Sequence, residues 1–310
     1  MQIAIVILAA GKGTRMKSEM PKVLHEVAGA PLLMHCMKTA QTIEPEHLII
    51  VAGHGSEDVT KAAETYAPDS QIVTQSAQLG TAHAVAQSRE ILSGFEGDLI
   101  ILYGDTPFIR PETLKKLAQA RQKSDLVILG FEAKEPGHYG RLITSGTNLF
   151  EIVEYKEANA AQKDITLCNS GILAGPAELI FQLIEQVETS NNAGELYLTD
   201  CIALARAAGK SASVVKCPEA ETLGVNSRRD LAQAEQVFQN NARAALMDAG
   251  VSLLAPETVF LSFDTVIGRD ALIEQNVVFG AGVTVETGAK IHAFSHLEGC
   301  RVSREAVIGP

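Results

Sequence analysis

The strongest constraint on the fold lies near the C-terminus, where large apolar residues recur every six positions. This series consists of Ile267, Ile273, Phe279, Val285, Ile291 and Leu297. Small residues such as Gly268, Gly280 and Gly288 stand between them. A period of six fits neither a helix nor a simple meander of strands, but it is typical of a β-helix whose triangular coils stack. Ordinary strands with chance spacing are the weaker interpretation.

The chain divides before this pattern begins. At 310 residues it is longer than one hydrophobic core usually supports, so we expect two domains. Ser227 has the side chain of a helix cap, an apolar stripe follows it, and Gly250 would end the helix. The predicted parts are a first domain over residues 1–226, a connecting helix over 227–249 and the start of the β-helix over 250–310.

The first domain alternates short apolar runs with stretches of helix-forming composition. The apolar runs are residues 3–8, 48–51 and 99–102. Unbroken apolar strands separated by helices predict an α/β, Rossmann-like domain with a mostly parallel sheet covered on both faces. Ligands bind such sheets at the carboxyl ends of the strands. Two runs end in candidate site residues, since the first leads into Gly11 and the third into Asp105.

Composition excludes several classes of partner. The net charge of −11 argues against nucleic acid as a partner, so a bound polyanion would need a local cluster of cations. The apolar run at the N-terminus is far shorter than the roughly 20 residues that span a bilayer, and it lacks the marks of a signal peptide. We therefore expect a soluble, cytoplasmic protein without a membrane partner. The five cysteines have no zinc spacing and are expected to be reduced.

The most specific motif is the loop after the first strand, Leu8-Ala-Ala-Gly-Lys-Gly-Thr-Arg-Met16, followed by Pro21-Lys22. It is not a P-loop, because Val6 stands where that motif needs glycine, and Met16 breaks the dinucleotide fingerprint. What remains is a glycine-rich turn with three nearby cations, Lys12, Arg15 and Lys22. Glycines let backbone N–H groups approach a phosphate chain, and the cations would neutralise it.

This loop resembles the signature of sugar nucleotidyltransferases, and further segments narrow the match. These segments are Pro21-Lys-Val-Leu-His25, Gln78-Leu-Gly-Thr-Ala-His83, Tyr103-Gly-Asp105, Tyr139-Gly-Arg141, Asn169-Ser-Gly171, Gly194-Glu-Leu-Tyr-Leu-Thr-Asp200 and Gly224-Val-Asn226. Together with the six-residue repeat, they resemble the bacterial bifunctional N-acetylglucosamine-1-phosphate uridylyltransferases/glucosamine-1-phosphate acetyltransferases. The resemblance implies a nucleotidyltransferase domain, a connecting helix and a left-handed β-helix that trimerises.

The repeat stops at Pro310 after about three coils, without the cap that solenoids normally need. We therefore expect this chain to be part of a longer protein. In the family that it resembles, the acetyl-transfer residues lie in the later part of the β-helix. Uridylyl transfer, from UTP to N-acetylglucosamine 1-phosphate, is accordingly the activity that we expect of this chain.

The resemblance also assigns roles to individual residues. It implies a Mg²⁺ cofactor held by Asp105 and Asn226, and catalytic roles for Arg15, Lys22 and Asp105. The nucleotide-binding residues that it implies are Leu8, Ala9, Ala10, Gly11, Lys22, Gln75, Gly80 and Thr81. The sugar-binding residues that the resemblance implies are Tyr103, Gly104, Asp105, Gly140, Glu154, Asn169, Tyr197, Thr199 and Asn226.

Several of these residues have a plainer interpretation when taken alone. Asp105 would begin a turn before Pro107, Asn226 would cap a helix, and Gln75 would be a surface amide. Magnesium does take one or two carboxylates plus phosphate oxygens, which favours Asp105 after an apolar strand. His25, His83 and His138 are expected to pack or make polar contacts, because the reaction needs no strong general base.

Two other functions remain open from the sequence. One is a related pyrophosphorylase that uses glucose 1-phosphate or another nucleotide, against which Gln75 and Glu154 argue. The other is a catalytically inactive relative that serves as a regulatory subunit. Such a protein would be expected to lose its metal ligands or basic loop residues, and this chain keeps them.

Overall fold

The structure, a computed structural model, describes residues 2–189 and 194–310, which form two compact units. Unit 1 comprises Met1–Leu24 and Leu32–Asn226, and unit 2 comprises His25–Pro31 and Ser227–Pro310. The first eleven strands, in chain order, are β1 (Ile3–Ala9), β2 (Glu26–Val27), β3 (Ala30–Pro31), β4 (His47–Ala52), β5 (Gln71–Thr74), β6 (Asp98–Tyr103), β7 (Leu126–Glu132), β8 (Arg141–Ser145), β9 (Asn148–Val153), β10 (Leu167–Pro176) and β11 (Ala212–Cys217). The helices of unit 1 are α1 (Leu32–Gln41), α2 (Ser56–Tyr66), α3 (Thr81–Ala86), α4 (Pro111–Arg121), α5 (Ala160–Lys163), α6 (Ala177–Ile184) and α7 (Asp200–Ala207).

Unit 1 is built on one sheet with helices on both faces. Among the described residues its strand order is β5-β4-β1-β6-β10-β7-β11-β9-β8. Strand β1 shows why both faces are covered, because successive side chains enter different cores. Val6 packs in one apolar cluster, and Ile5 and Ile7 pack in the other. All three are fully buried, and truncating such a side chain to alanine typically costs about 2–5 kcal/mol.

The sheet is mixed, which corrects the prediction of a mostly parallel one. Strands β5, β4, β1 and β6 run parallel, but β10 runs antiparallel to both β6 and β7. Parallel neighbours need a crossover of a dozen or more residues, usually a helix. Strand β10 instead follows a β8–β9 hairpin that turns at Gly146 (φ +61°) and the single-turn helix α5. The hairpin and α5 lie between β7 and β10, and β10 returns beside β7 in the opposite direction.

Unit 2 contains the predicted long helix. Helix α8 (Arg228–Asp248) begins with a reciprocal cap, in which Ser227 accepts from the Asp230 N–H and Asp230 accepts from the Ser227 N–H. It ends two residues before Gly250, whose φ of +91° suits glycine. No helix in the described part of the chain is long and apolar enough to cross a membrane.

Short parallel strands follow α8. They are β12 (Ser252–Leu253), β13 (Val266–Ile267), β14 (Leu272–Ile273), β15 (Val278–Phe279), β16 (Thr284–Val285), β17 (Lys290–Ile291), β18 (His296–Leu297), β19 (Arg301–Val302) and β20 (Val307–Ile308). They pair in three parallel ladders, β12-β14-β17-β20, β13-β16-β19 and β15-β18. Val266 pairs with Thr284 and Val278 with His296, each partner eighteen positions on, which is three six-residue repeats. All six residues of the predicted apolar series are buried in one core.

Candidate active site

The carboxyl ends of two neighbouring strands bring the predicted site loops together. Strands β1 and β6 are adjacent and parallel, with Leu8 opposite Tyr103. The Gly104 N–H donates to the Leu8 carbonyl oxygen at 3.0 Å, which continues the pairing beyond β6. The loop after β1 therefore lies beside the segment that carries Asp105, at the sheet edge where α/β proteins bind ligands.

The glycine-rich loop owes its path to Gly13. This residue has φ +59°, a conformation that favours glycine, and it precedes a 3-10 helix over Thr14–Met16. A Cβ atom at Gly13 would lie 2.6 Å from the Cβ of Lys22, far inside van der Waals contact. A Cβ at Gly11 would meet no atom within 4 Å. Gly13 thus lets Lys22 approach the loop, whereas Gly11 leaves space open in front of it.

The predicted catalytic residues meet in one polar cluster. Lys22 Nζ contacts Asp105 Oδ2 and donates to Asn226 Oδ1 at 3.0 Å. Arg15 Nη2 donates to the same Asn226 oxygen at 2.9 Å. The Val225 N–H donates to the Asp105 carbonyl oxygen at 2.9 Å, which holds the Asn226 segment against the loop after β6. Residues more than two hundred positions apart thus share a single site.

The oxygen donors in this cluster suit a magnesium ion. Asp105 and Asn226 both direct a side-chain oxygen at one cationic group, the Lys22 ammonium. Mg²⁺ is usually held by one or two protein oxygens, with phosphate oxygens and water completing its shell. The described residues contain no group of three or more His, Cys, Asp or Glu side chains able to form a metal cage. The donor set therefore fits a metal that binds together with a phosphate ligand.

A cleft of about 320 Å³ opens beside this cluster. All eight predicted nucleotide-binding residues line it, namely Leu8, Ala9, Ala10, Gly11, Lys22, Gln75, Gly80 and Thr81. Tyr103 and Asp105, from the predicted sugar-binding set, line it as well. The cleft therefore joins the glycine-rich loop, the loop around Gln75 and the end of β6 in one concave surface.

The loop around Gln75 forms one end of the cleft. Gln75 is only 4% exposed, and its amide nitrogen donates to the Gly80 carbonyl oxygen at 3.0 Å. Gly80 has φ +114°, and a Cβ there would lie 2.4 Å from the Leu196 carbonyl oxygen. The Thr81 hydroxyl accepts from the Leu198 N–H at 2.9 Å. The backbone after Leu196 thus fixes this loop against the cleft.

Tyr103 connects the cleft to the predicted sugar-binding residues. Its hydroxyl is hydrogen-bonded to the Thr81 side chain, and burial followed by the Asp105 charge raises its pKa above the ordinary range. A Cβ at Gly171 would lie 2.8 Å from the Tyr103 ring, so the ring lies close against that backbone. The Gly171 N–H in turn donates to Asn169 Oδ1 at 2.9 Å.

Asn169, Gly140 and Glu154 form a second predicted group. The Asn169 N–H donates to the Gly140 carbonyl oxygen at 2.9 Å. A Cβ at Gly140 would lie 3.4 Å from Glu154 Oε1, which places the carboxylate over the glycine. Glu154 lies just after β9 rather than within a strand, because β9 ends at Val153. The segment Ile152-Val-Glu-Tyr155 favours a carboxylate within a strand, and the structure corrects that expectation.

Glu154 belongs to an acidic group whose charges oppose one another. Burial, and then the charges of Glu157 and Asp200, raise the pKa of Glu154 above its ordinary value of 4.5. Burial and the Glu157 charge likewise raise the pKa of Asp200. Burial and four carboxylates, Glu195 first among them, raise the pKa of Tyr197. Tyr197 is thus near Glu154, whereas Thr199 is the residue that precedes helix α7.

Comparison with known proteins agrees with this geometry. Residues 5–166 match the model of the MobA-like NTP transferase domain. All 310 residues align with the Bifunctional protein GlmU of Ruegeria sp. at 59% identity, covering 69% of that protein. The Bifunctional protein GlmU of Ruegeria pomeroyi is 58% identical and that of Roseobacter denitrificans 54%, each over the whole chain and 69% of the relative.

The chain belongs to the GlmU family. Two solved structures share its fold at low sequence identity. The inositol-1-phosphate CTP transferase from T. maritima has a TM-score of 0.62 at 17% identity, covering 77% of this chain and 95% of that one. A UDP-glucose pyrophosphorylase complexed with UDP-glucose has a TM-score of 0.60 at 19% identity, covering 78% and 100%. The family and the fold make this chain a nucleotidyltransferase.

Sequence reasoning missed several residues that line the cleft, namely Val23, Gln78, Ala84 and Glu195. Of these residues, Gln78 had the clearest signal in the sequence, because it begins the Gln-Leu-Gly-Thr segment that marks the family. Its side-chain nitrogen donates to the Ala10 carbonyl oxygen at 2.7 Å and so ties two loops of the cleft together. Glu157 and Asp200 were not predicted near Glu154, because only the fold brings them together.

A larger cavity of about 710 Å³ lies at the opposite edge of the sheet. It is lined by the residues before β6, such as Phe95 and Gly97, and by Pro176 and Phe181. Its wall includes Arg89, which donates to the Phe181 carbonyl oxygen at 2.8 Å and pairs with Glu185. None of the predicted site residues lines it. The smaller cleft, at the carboxyl ends of β1 and β6, is therefore the candidate active site.

Proposed function

We propose that this chain transfers the uridylyl group of UTP to N-acetylglucosamine 1-phosphate, releasing pyrophosphate and forming UDP-N-acetylglucosamine. The observation that carries the proposal is the meeting of eight predicted nucleotide-binding residues, Lys22 among them, in one cleft whose wall also contains Asp105. The product would serve cytoplasmic synthesis of cell-wall precursors. Acetyl transfer is not proposed for these 310 residues.

The reaction asks the protein for alignment and charge neutralisation rather than covalent chemistry. An oxygen of the sugar phosphate forms a bond to the α-phosphorus of UTP, and the bond between that phosphorus and the β-phosphate bridging oxygen breaks. Negative charge builds up on the leaving pyrophosphate. Lys22 and Arg15, which already share the Asn226 oxygen, are placed to stabilise that charge. The backbone at Gly11 faces open space where a phosphate chain can approach.

Asp105 and Asn226 would hold Mg²⁺ in this proposal. When bound, the ion supplies positive charge that neutralises phosphate oxygens during the transfer. Their side-chain oxygens already share one cationic partner, so they are directed at the place where positive charge is needed. Lys22 then has a double role, because it balances Asp105 without a nucleotide and can turn to the phosphates with one.

Selection of N-acetylglucosamine over other sugars would depend on the second group of residues. Glu154 lies over Gly140, and the Asn169 N–H donates a hydrogen bond to the carbonyl oxygen of the same glycine. Carboxylate and amide oxygens accept hydrogen bonds from sugar hydroxyls, and a glycine leaves room for a substituent. Tyr103, whose ring packs on Gly171, would separate the sugar from the nucleotide.

For unit 2 we propose a left-handed β-helix through which the chain forms a homotrimer. The eighteen-residue spacing of paired short strands supports the coil, since it equals three six-residue repeats. Large apolar side chains also face solvent in this unit, including Leu254, Val266 and Phe294, which are 61%, 58% and 71% exposed. Exposed apolar side chains in such numbers are typical of an association surface. Light scattering at micromolar concentration tests this, and a monomer would contradict it.

The decisive experiment for the enzymatic proposal is pyrophosphate release from UTP and N-acetylglucosamine 1-phosphate, with and without Mg²⁺. Parallel reactions replace UTP by CTP, ATP or GTP, and the sugar by glucose 1-phosphate. We expect release only with UTP, the N-acetyl sugar and Mg²⁺. Faster turnover of glucose 1-phosphate would indicate the related pyrophosphorylase instead. Absence of release with every pair would favour an inactive regulatory relative.

A further inference from the structure

His83 lies beside the end of the cleft that the loop around Gln75 forms, and the proposed reaction gives it no role. Its ring Nδ1 is 2.9 Å from the amide nitrogen of Gln75. The same amide nitrogen is 3.0 Å from the Gly80 carbonyl oxygen. Gln75 lines the cleft and is almost completely buried, so its amide is confined by these two neighbours.

The Gly80 carbonyl decides which way the Gln75 amide faces. A carbonyl oxygen only accepts hydrogen bonds, so the group facing it must be the amide nitrogen. That nitrogen carries two hydrogens, and the second is directed at His83 Nδ1. The Nδ1 atom must therefore be the acceptor of the ring, and the ring proton resides on Nε2. With both amide hydrogens engaged, Oε1 of Gln75 is the group that the amide can offer to a ligand.

Gln87 does not offer the ring an alternative arrangement. Its side-chain nitrogen donates to the His83 carbonyl oxygen at 2.9 Å and lies 3.2 Å from His83 Nε2. Nε2 accepts from Gln87 only if the ring proton is on Nδ1, and that proton would then face the hydrogens of the Gln75 amide nitrogen at the shorter distance of 2.9 Å. The shorter contact is therefore the hydrogen bond. The contact between His83 and Gln75 is consequently the one that fixes the ring tautomer.

The orientation of the Gln75 amide has a direct consequence for base selection. Uracil presents an N–H at N3 between two carbonyl oxygens, whereas cytosine presents an unprotonated N3 beside an amino group. An acceptor such as Oε1 that faces N3 pairs with the N–H of uracil and repels the lone pair of cytosine N3. If the amide turned over, it would present its nitrogen and favour the opposite base.

We propose that His83 is a positioning residue that contributes to base specificity. Through Nδ1 it accepts the second amide hydrogen of Gln75 and, together with the Gly80 carbonyl, holds the amide with Oε1 available to the base, so that the cleft prefers uracil to cytosine. The inference rests on the proposed function, because it places a pyrimidine nucleotide in this cleft. His83 itself need not touch the nucleotide.

The test compares wild type, His83→Leu and His83→Asn with UTP and with CTP. Leucine removes the acceptor, whereas asparagine keeps an oxygen acceptor close to the place of Nδ1. We expect the UTP-to-CTP ratio of kcat/KM to fall by about tenfold or more in His83→Leu, the effect of one mispaired polar group. In His83→Asn the ratio should stay within about threefold of wild type, because the acceptor survives. The KM for the sugar phosphate should not change in either variant.

Gln87→Leu is the matched control, since it lies one turn further along and also contacts the ring. It should leave the ratio unchanged. A general loss of rate in His83→Leu with an unchanged ratio would mean that the ring only supports the fold, and the proposal would be overturned. Nitrogen NMR of wild type should find the His83 ring proton on Nε2, and a proton on Nδ1 would overturn the proposal without any variant.

Binding measured by calorimetry separates this inference from the enzymatic one. UTP and CTP are titrated into the protein without sugar phosphate, so no turnover is required. Selective binding of UTP by a chain that releases no pyrophosphate would contradict the proposed reaction and support the role of His83. Equal binding of the two nucleotides by wild type would overturn the role of His83, even in an active enzyme.

Discussion

Two groups of charged side chains in unit 1 differ in how their charges are matched. Around Lys22, one ammonium group lies between the Asp105 carboxylate and the Asn226 amide oxygen. Around Glu154, the neighbouring charges are those of Glu157 and Asp200, which have the same sign. Among the described residues, none of these three carboxylates forms an ion pair with lysine or arginine. In the first group the carboxylate has a cationic partner, with Arg15 as a second cation nearby, and we call this group the balanced cluster. In the second group no carboxylate has such a partner.

The difference indicates how a sugar phosphate would be oriented. Such a molecule has a neutral end with hydroxyl donors and an anionic end. The acidic group accepts hydrogen bonds from hydroxyls and repels phosphate, while the cluster around Lys22 attracts it. The two groups together would therefore orient the sugar phosphate as it enters the cleft, before its hydrogen bonds to the protein form. A balanced cluster alone would bind phosphate without specifying which way the sugar points.

Removing the carboxylate of the balanced cluster should have the largest effect. In Asp105→Ala, Lys22 loses its carboxylate partner and the cleft loses one of its two proposed metal ligands, so we expect kcat to fall by about a thousandfold. Pyrophosphate release under saturating Mg²⁺ measures this. Asp98→Asn is the matched control, because Asp98 pairs with Arg121 at the other end of β6, 2.9 Å away. The control should lose thermal stability and keep its rate; full activity in Asp105→Ala would contradict the assignment.

Two glycines in one loop sharpen the account of the balanced cluster. Gly13→Ala forces a Cβ against Lys22 at a positive φ, so we expect a loss of about 1–3 kcal/mol in unfolding free energy and a clear fall in kcat. Gly11→Ala meets no protein atom within 4 Å, so its stability should be nearly unchanged. Its methyl group would enter the cleft and raise the KM for UTP. Chemical denaturation and steady-state kinetics separate the two variants, and equal destabilisation by both would contradict this account.

The balanced cluster was largely predictable from sequence, and the acidic group was not. Arg15 and Lys22 belong to a loop whose glycines and cations lie close together in the chain, so local spacing carries the information. Asp105 follows an apolar strand, and the side-by-side packing of parallel strands places its loop beside the first. Asn226 needed the family resemblance, because no local pattern links it to residues so far away. Glu157 and Asp200 approach Glu154 only through the folded chain.

Helix α8 shows a second limit of sequence reasoning. A helical pattern assigns polar side chains to the surface, yet Gln239 and Arg243 are 3% and 8% exposed. Gln239 donates to the Leu261 carbonyl oxygen at 2.7 Å and accepts from the Leu261 N–H at 2.9 Å. Arg243 donates to the Pro256 carbonyl oxygen at 3.0 Å. Both side chains satisfy backbone groups of the following segment, which a stripe of apolar residues cannot reveal.

Neutralising Glu154 should weaken sugar binding while stabilising the fold. In Glu154→Gln the carboxylate acceptor becomes an amide, so we expect the KM for the sugar phosphate to rise by about tenfold. The raised pKa means that the folded state binds more protons than the unfolded state above pH 4.5, so wild type loses stability as pH rises through that window. The variant should therefore have the higher Tm at neutral pH, and the difference should vanish below pH 4.5. A lower Tm of the variant at neutral pH would mean that the ionised Glu154 carboxylate has a stabilising partner in the folded state.

Glu157→Gln is the smallest test of the same imbalance. Glu157 is exposed, and its charge is the largest contribution after burial to the raised pKa of both Glu154 and Asp200. Without it, both pKa values should move down toward their ordinary range, and stability at neutral pH should rise by no more than about 0.5 kcal/mol. Carbon NMR of the carboxyl groups follows the titration, with Glu178→Gln on α6 as an exposed control that should move neither pKa. If Glu154 titrates identically with and without Glu157, burial alone raises its pKa, and the acidic group orients the substrate through hydrogen bonds rather than through repulsion of phosphate.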